Sequence, residues 1–303
     1  MVSVSSTPFA DKNAGRAFNA SGVVPVGPTR FVFVDNLDPT ALFELTLDSD
    51  GAQRGAIKRR PIAGLDAGVL SDPEGIARID VGGEIHLVVA SSLCVRSVAA
   101  GETRVNHGLV RIRYTPAGQL HGDAMEGFRD WLLSRFPTLA AAARKIPDDS
   151  GLNIEGLAWD PRRRALLFGV RSPVRAGRIP VLCVHLDTDA PWTTAALRVG
   201  PKLSILKSDF AVPQGTRDIE YDADRDEFLV VVGRSISGGD VPFQLCTWDG
   251  NAKAVNVLDV TFEPAAPVRP EMKPEGVAAF LGDGARRILI VDDRGGYAVL
   301  DSV

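Results

Sequence analysis

Asn153-Ile154-Glu155-Gly156-Leu157-Ala158 decides the fold by recurring. The same acidic-Gly phrase stands at Asp72-Pro73-Glu74-Gly75-Ile76-Ala77 and at Lys273-Pro274-Glu275-Gly276-Val277-Ala278. A degenerate copy reads Arg217-Asp218-Ile219-Glu220-Tyr221-Asp222, with Ile219 taken as the glycine equivalent and Asp218 as the acid. An earlier stretch, Ala20-Ser21-Gly22-Val23-Val24, keeps the glycine and loses the acid. Each copy leads through a turn to an apolar strand: Phe31–Asp35, His86–Ala90, Leu166–Val170, Phe228–Val232 and Ile288–Asp292. A third strand-like run follows each, at Leu42–Leu47, Leu109–Tyr114, Val181–Leu186, Phe243–Trp248 and Tyr297–Leu300. Weaker fourth runs stand at Ala56–Ile62, Ala195–Val199 and Val255–Val260.

A repeat as long as four short antiparallel strands is the signature of a β-propeller. One four-stranded unit cannot bury both faces, whereas packing such units around an axis does so and leaves only short edges. The five copies predict an all-β, five-bladed β-propeller, with six blades if the long second repeat hides a divergent one. The last copy ends soon after its third strand. Residues before Ala20 are therefore expected to supply the outer strand and close a single domain over 1–303. The second repeat is long because Met125–Lys145 reads as a helical insertion, with Phe128, Trp131, Leu132 and Arg135 at helical spacing and Pro137 restarting the helix. Its apolar side packs either on the rim or over one channel mouth.

Composition fits a soluble globular chain: 45% hydrophobic and 24% charged residues over 303. The net charge of −4 lacks the basic surplus that binding to a phosphate backbone requires, so nucleic acid is not expected as a partner. Cys94, Cys183 and Cys246 form no C-x-x-C pair, which argues against a zinc or redox motif. Sparse cysteines and an N-terminus without basic and apolar signal regions predict a cytoplasmic protein, or a periplasmic one if a signal peptide has been removed. No run of about 18 apolar residues appears, so no membrane span is expected.

In a propeller the innermost strand of each blade lines the axis. Glu74, Glu155, Asp218 and Glu275 should therefore meet at one channel mouth, with Asp72 and Asn153 close by. The ends of the second strands add Asp35, Asn36, Ser91, Ser92, Arg171, Ser172, Arg234, Ser235, Asp292, Asp293 and Arg294, and the phrases add Arg217 and Lys273. Carboxylates forced together need compensation. A hard cation, Ca²⁺ or Mg²⁺, on Glu74, Asn153, Glu155, Asp218 and Glu275 would supply it. So would an ion-pair ring with Arg171, Arg217, Arg234 and Lys273, or hydrogen bonds from each acid to the neighbouring blade. The basic residues at the mouth favour a small anionic ligand held by Arg171, Arg217, Arg234, Lys273, Asp292 and Arg294.

His86 and His185 are expected to satisfy hydrogen bonds within sheets, whereas His107 and His121 are placed in loops. No nucleophilic triad, G-x-S-x-G, P-loop or Rossmann phrase is present. Trp159-Asp160 and Trp248-Asp249 lack the Gly-His partner of WD repeats, and Arg162-Arg163-Arg164 reads as a solvated hairpin turn.

Several phrases together resemble a bacterial β-propeller family of unknown function. They are Asn153–Ala158 with Leu167-Phe168-Gly169-Val170-Arg171-Ser172-Pro173, Gly215-Thr216-Arg217-Asp218-Ile219-Glu220-Tyr221, and Glu275-Gly276 with Val291-Asp292-Asp293-Arg294-Gly295. That family is similar to esterase-like phytase domains and, more remotely, to calcium-dependent lactonases of the gluconolactonase type. The resemblance covers roughly residues 20 to 303. The E-G phrase of those lactonases places its glutamate on the metal, which implies Glu155 or Glu74 here, with Asn153 and Asp218 as further ligands. One departure is Ala90-Ser91-Ser92, where the family pattern carries a Ser-His phrase.

Two functions are carried forward. In the first, the protein is a hydrolase, with or without the aid of a divalent metal, acting on an anionic ester, phosphoester or lactone at the channel mouth, with Glu74, Glu155, Asp218 and Glu275 as metal ligands or acid and base. In the second it is a non-enzymatic ligand-binding or protein-interaction scaffold whose acids are structural. Substrate, pathway and oligomeric state are not written in these residues.

Overall fold

Runs such as Leu229-Val230-Val231-Val232 are buried at every residue. That pattern requires a packed layer on each face of the strand. The computed structural model, which describes every residue except 1, 67, 100, 175–177, 207–213, 237–240, 252–254, 264–270 and 302–303, supplies those layers. Two short strands, β1 (Val2–Val4) and β2 (Thr7–Pro8), precede a meander of β3 (Ala20–Gly27), β4 (Arg30–Asp35), β5 (Ala41–Thr46) and β6 (Lys58–Ala63). The next meander starts with β7 (Pro73–Val81) and β8 (Glu84–Ser91). The hairpin β9 (Val95–Ala99) and β10 (Glu102–Val105) interrupts it before β11 (Leu109–Tyr114) and β12 (Leu120–Ala124). Then follow β13 (Asn153–Asp160), β14 (Ala165–Ser172), β15 (Arg178–Leu186) and β16 (Leu197–Leu206). After these come β17 (Gln214–Asp222), β18 (Glu227–Arg234), β19 (Gln244–Trp248) and β20 (Asn256–Val257), and the short β21 (Val260–Phe262), which pairs with β1. The last meander is β22 (Pro274–Gly282), β23 (Ala285–Asp292) and β24 (Gly296–Asp301). Its outer neighbour is β2, paired antiparallel through Thr7 and Tyr297.

The fold is all-β and propeller-like. The inner strands β3, β7, β13, β17 and β22 each pack on the next, and β22 packs on β3. Side chains alternate between two cores. Phe228, Val230 and Val232 join Leu167 and Cys183 of the preceding sheet, whereas Leu229 and Val231 join Ile288 and Ile290 of the following one. The first two meanders fuse into one eight-stranded sheet because β6 pairs parallel with β12, Leu120 opposite Ile62. Buried Arg60 pins that seam: it pairs with Glu44 of β5 and donates to the carbonyls of Thr115 and Gly118 in the β11–β12 turn.

One local expectation changes. His121 lies in β12, a strand hidden from pattern reading by its polar Leu-His-Gly-Asp-Ala sequence, and is not in a loop. The insertion runs as α1 (Phe128–Arg135), α2 (Pro137–Ala140), opened by Pro137 as expected, and, not foreseen, a 3-10 turn at Ala142–Arg144. It packs between sheets: Phe128 stacks on Phe168 at 5.5 Å, and Leu132 and Leu139 join the same core. Beyond it, the turn at Pro147–Asp149 reaches the end of β14, where the Ser172 hydroxyl donates to the Pro147 carbonyl at 3.5 Å. No helix among the described residues is long and apolar enough to cross a membrane.

Candidate functional site

Every inner strand slips register at the same point, and β3 and β13 slip a second time. The residues without a partner across the sheet are Gly22, Glu74, Glu155, Arg217 and Glu275. A bulge of this kind re-aims the side chain of the extra residue. The expected alignment of the degenerate copy is therefore off by one: Arg217, not Asp218, holds the place of the glutamates, and Asp218 falls in the glycine position. One arginine thus replaces an acid among three glutamates.

The glycine position is where one inner strand's backbone meets the next. A Cβ on Gly75 would stand 2.6 Å from the Cβ of Leu157, and one on Gly156 would stand 2.9 Å from the nitrogen of Ile219. A Cβ on Gly276 would come within 3.1 Å of the nitrogens of Gly22 and Val23. In the first copy Gly22 holds the place of the glutamates and Val23 the glycine position, so that copy too is aligned one residue off. Asp218 has a side chain there and uses it: Oδ2 accepts the N–H of Val277 at 2.8 Å.

The re-aimed charges then pair. Arg217 pairs with Glu275 and lies 3.0 Å from Glu155 Oε2, while Arg171 from the end of β14 takes the other oxygen of Glu155. Asn153 also donates to Glu155, at 3.0 Å. Glu155 is 1% exposed and Glu275 4%, so this network forms a closed floor. Glu74 differs. It has no ion pair among the described residues and accepts from the Ser21 hydroxyl at 3.0 Å and the Asn36 amide at 2.9 Å. Asp72, two residues earlier, has a left-handed backbone (φ 53°) and accepts from Asn106 at 2.7 Å.

Burial, reinforced by the charges of Asp72 and Glu155, lifts the Glu74 carboxyl well above its ordinary 4.5. Burial alone does most of the same to Asp218 and, with Asp218 beside it, to Glu220. Asp72 and Asp293 are also raised by burial. Burial and the neighbouring Arg171 bring Arg217 down to about 10. These directions describe a desolvated cluster whose acids hold their protons more tightly than free carboxyls do.

Other expected site residues have separate tasks. The Arg234 guanidinium pairs with Glu271 at 2.6 Å and lies over Phe243, and only its carbonyl reaches the cluster, accepting from Arg171. Lys273 lies 3.9 Å from Asp293. Asp292 accepts the backbone N–H of Arg294 at 2.7 Å within their turn, and the Arg294 side chain is exposed. Of the cations expected to hold an anion, Arg171, Arg217 and Arg234 are paired with carboxylates in this structure. The carboxylates expected to hold a metal each face another group. Among the described residues no group of three or more His, Cys, Asp or Glu side chains is arranged to hold a metal ion. Glu155 and Glu275 face Arg217, Asp218 faces an amide, and Glu74 faces Ser21 and Asn36. Sequence reasoning missed Ser21, Asn106 and Glu271. Ser21 was discoverable, since it precedes the bulged residue as Pro73 precedes Glu74.

No protein-family model and no curated protein matches the chain. Solved structures do resemble it. The GH43 β-1,3-galactosidase solved with galactodeoxynojirimycin superposes with a TM-score of 0.52 at 9% identity, covering 98% of this chain and 94% of the other. The endo-arabinase of Bacteroides thetaiotaomicron gives 0.51 at 12% identity, covering 99% and 98%. The major Malassezia sympodialis allergen Mala s 1 gives 0.50 at 9% identity, covering 94% of each chain. At these identities the likeness concerns the fold, which is β-propeller-like.

Proposed function

We propose that this is a five-bladed propeller, closed by β2 on β24, and that its axial mouth is the active site of a hydrolase using Glu74 as general acid. The carrying observation is the contrast between two neighbouring glutamates. Glu155 is clamped by two guanidiniums, whereas Glu74 is desolvated, has no paired cation and is pushed toward its protonated form. Carboxyls whose environments diverge in this way divide acid and base work. Glu74 would hand its proton to a leaving oxygen, and the Arg217 network would hold the floor rigid beneath it. Because the nearby guanidiniums are committed, the substrate is read as uncharged and hydroxyl-bearing, a glycoside rather than a phosphoester. The GH43 neighbours are consistent with that class and do not establish it.

The test is a panel of neutral nitrophenyl glycosides beside nitrophenyl esters, phosphoesters and a lactone. Turnover is expected on glycosides, with a loss of about 100-fold or more in E74Q, the usual scale for removing a general acid. No turnover on any glycoside would overturn the reading. A second reading, a non-enzymatic scaffold, is favoured by the Asp218–Val277 and Ser21–Glu74 bonds, which join neighbouring inner strands without needing a ligand. It expects no turnover on any member of the panel.

A further inference from the structure

We infer that one water molecule is built into the joint between the second and third meanders, accepting from the indole N–H of Trp192 and donating to Nδ1 of His86. The two groups come from different sheets. His86 is on β8, and Trp192 follows β15 on the loop that leads into β16. Trp192 is nine-tenths buried, yet among the described residues its Nε1 has no hydrogen-bond partner, and neither does the buried Nδ1 of His86. Both residues line the same cavity of about 30 Å³, walled by Ile79, Val81 and Leu186. That is more room than a water molecule needs. A buried N–H and a buried ring nitrogen on a common wall are the pair of groups such a water needs. Asp187 and Thr188 on the same wall offer a further partner.

The surroundings fix the chemistry. The Arg111 guanidinium lies over the Trp192 ring at 5.1 Å and holds the indole in place. His86 Nε2 lies 3.7 Å from Glu84, so the proton belongs on Nε2 and Nδ1 is left as the acceptor. The charged groups around the imidazole are Glu84, Arg111 and Arg113, with Asp187 across the cavity. Trp192 donates, His86 accepts, and a molecule that does both completes the joint. His86, expected to find its partner within the sheet, finds it instead through solvent.

The test uses the whole chain. A crystal structure at neutral pH should show one solvent peak within about 3.2 Å of both Trp192 Nε1 and His86 Nδ1. In solution, the Trp192 indole proton, assigned by its loss in W192F, should show a cross-peak to a long-lived water. H86Q, which keeps an acceptor, should retain the peak, and H86L should lose it. An empty cavity in well-defined density, or an indole N–H seated on a protein acceptor, would overturn the inference. If W192F or H86L fails to fold, the wild-type density and cross-peak still decide.

Discussion

The Asp218 carboxylate accepts the backbone N–H of Val277 at 2.8 Å, across the seam where other inner strands bring glycine against their neighbour. The acidic-Gly phrase is thereby explained in two halves. Its first residue is the bulge that turns a charge toward the axis, and its second is the slot that lets backbones close.

The slot makes a steric prediction. G75A places a methyl 2.6 Å from Leu157 Cβ and 2.9 Å from its nitrogen, so a backbone must move. Thermal and urea unfolding should show a loss of about 1–3 kcal/mol, the usual scale of overpacking. G27A, whose new Cβ would meet only Arg30 Cβ at 3.6 Å, should be nearly neutral. Equal effects would contradict close packing at the seam.

Arg217 compensates two buried carboxylates. R217M leaves Glu155 and Glu275 with less positive charge and should cost about 3–5 kcal/mol in urea unfolding. The deficit should shrink as pH falls and the glutamates gain protons. R217K restores charge at one point only and should fall between wild type and R217M. A cost that does not change with pH would mean that packing, not charge, is lost.

Glu74 sets a pH dependence of definite sign. Its folded value lies above 4.5, so the native state binds more protons than the unfolded chain between those two values. Stability from this group is full below 4.5 and declines as pH rises through the folded value. E74Q mimics the protonated acid and removes that decline. Wild type should therefore lose melting temperature relative to E74Q on going from pH 4.5 upward, and parallel curves would show that Glu74 titrates normally.

Asp38 behaves oppositely. Burial resists its ionisation, but hydrogen bonds from Arg59, Thr40 and Asn13 prevail and lower it from 3.8 to about 2. Its contribution is present above 3.8 and fades between 3.8 and about 2. D38N should shed that acid-side loss, so the gap between D38N and wild type narrows across this window. A gap that stays constant would remove the Arg59 pair as its cause.

The strands were legible because Val-, Leu- and Phe-rich runs recur between turns, and the charged axis was legible because the acidic-Gly phrase recurs with them. Asp218 was misplaced because a bulge has no letter in the sequence: Arg217-Asp218-Ile219 looks like a shifted Glu-Gly-Val until the register of β17 on β18 is known. Composition counts cations near a mouth but does not show that Arg171 and Arg217 are turned onto Glu155, or Arg234 onto Glu271. β12 was missed because its burial comes from neighbours and not from its own residues.

The most direct measurement is the infrared difference spectrum between wild type and E74Q in the carboxyl C=O region, followed across pH. A protonated-carboxyl band that persists in wild type above pH 4.5 and is missing from E74Q is the predicted result. A Glu74 band that titrates at 4.5 or below would contradict the account of a desolvated acid.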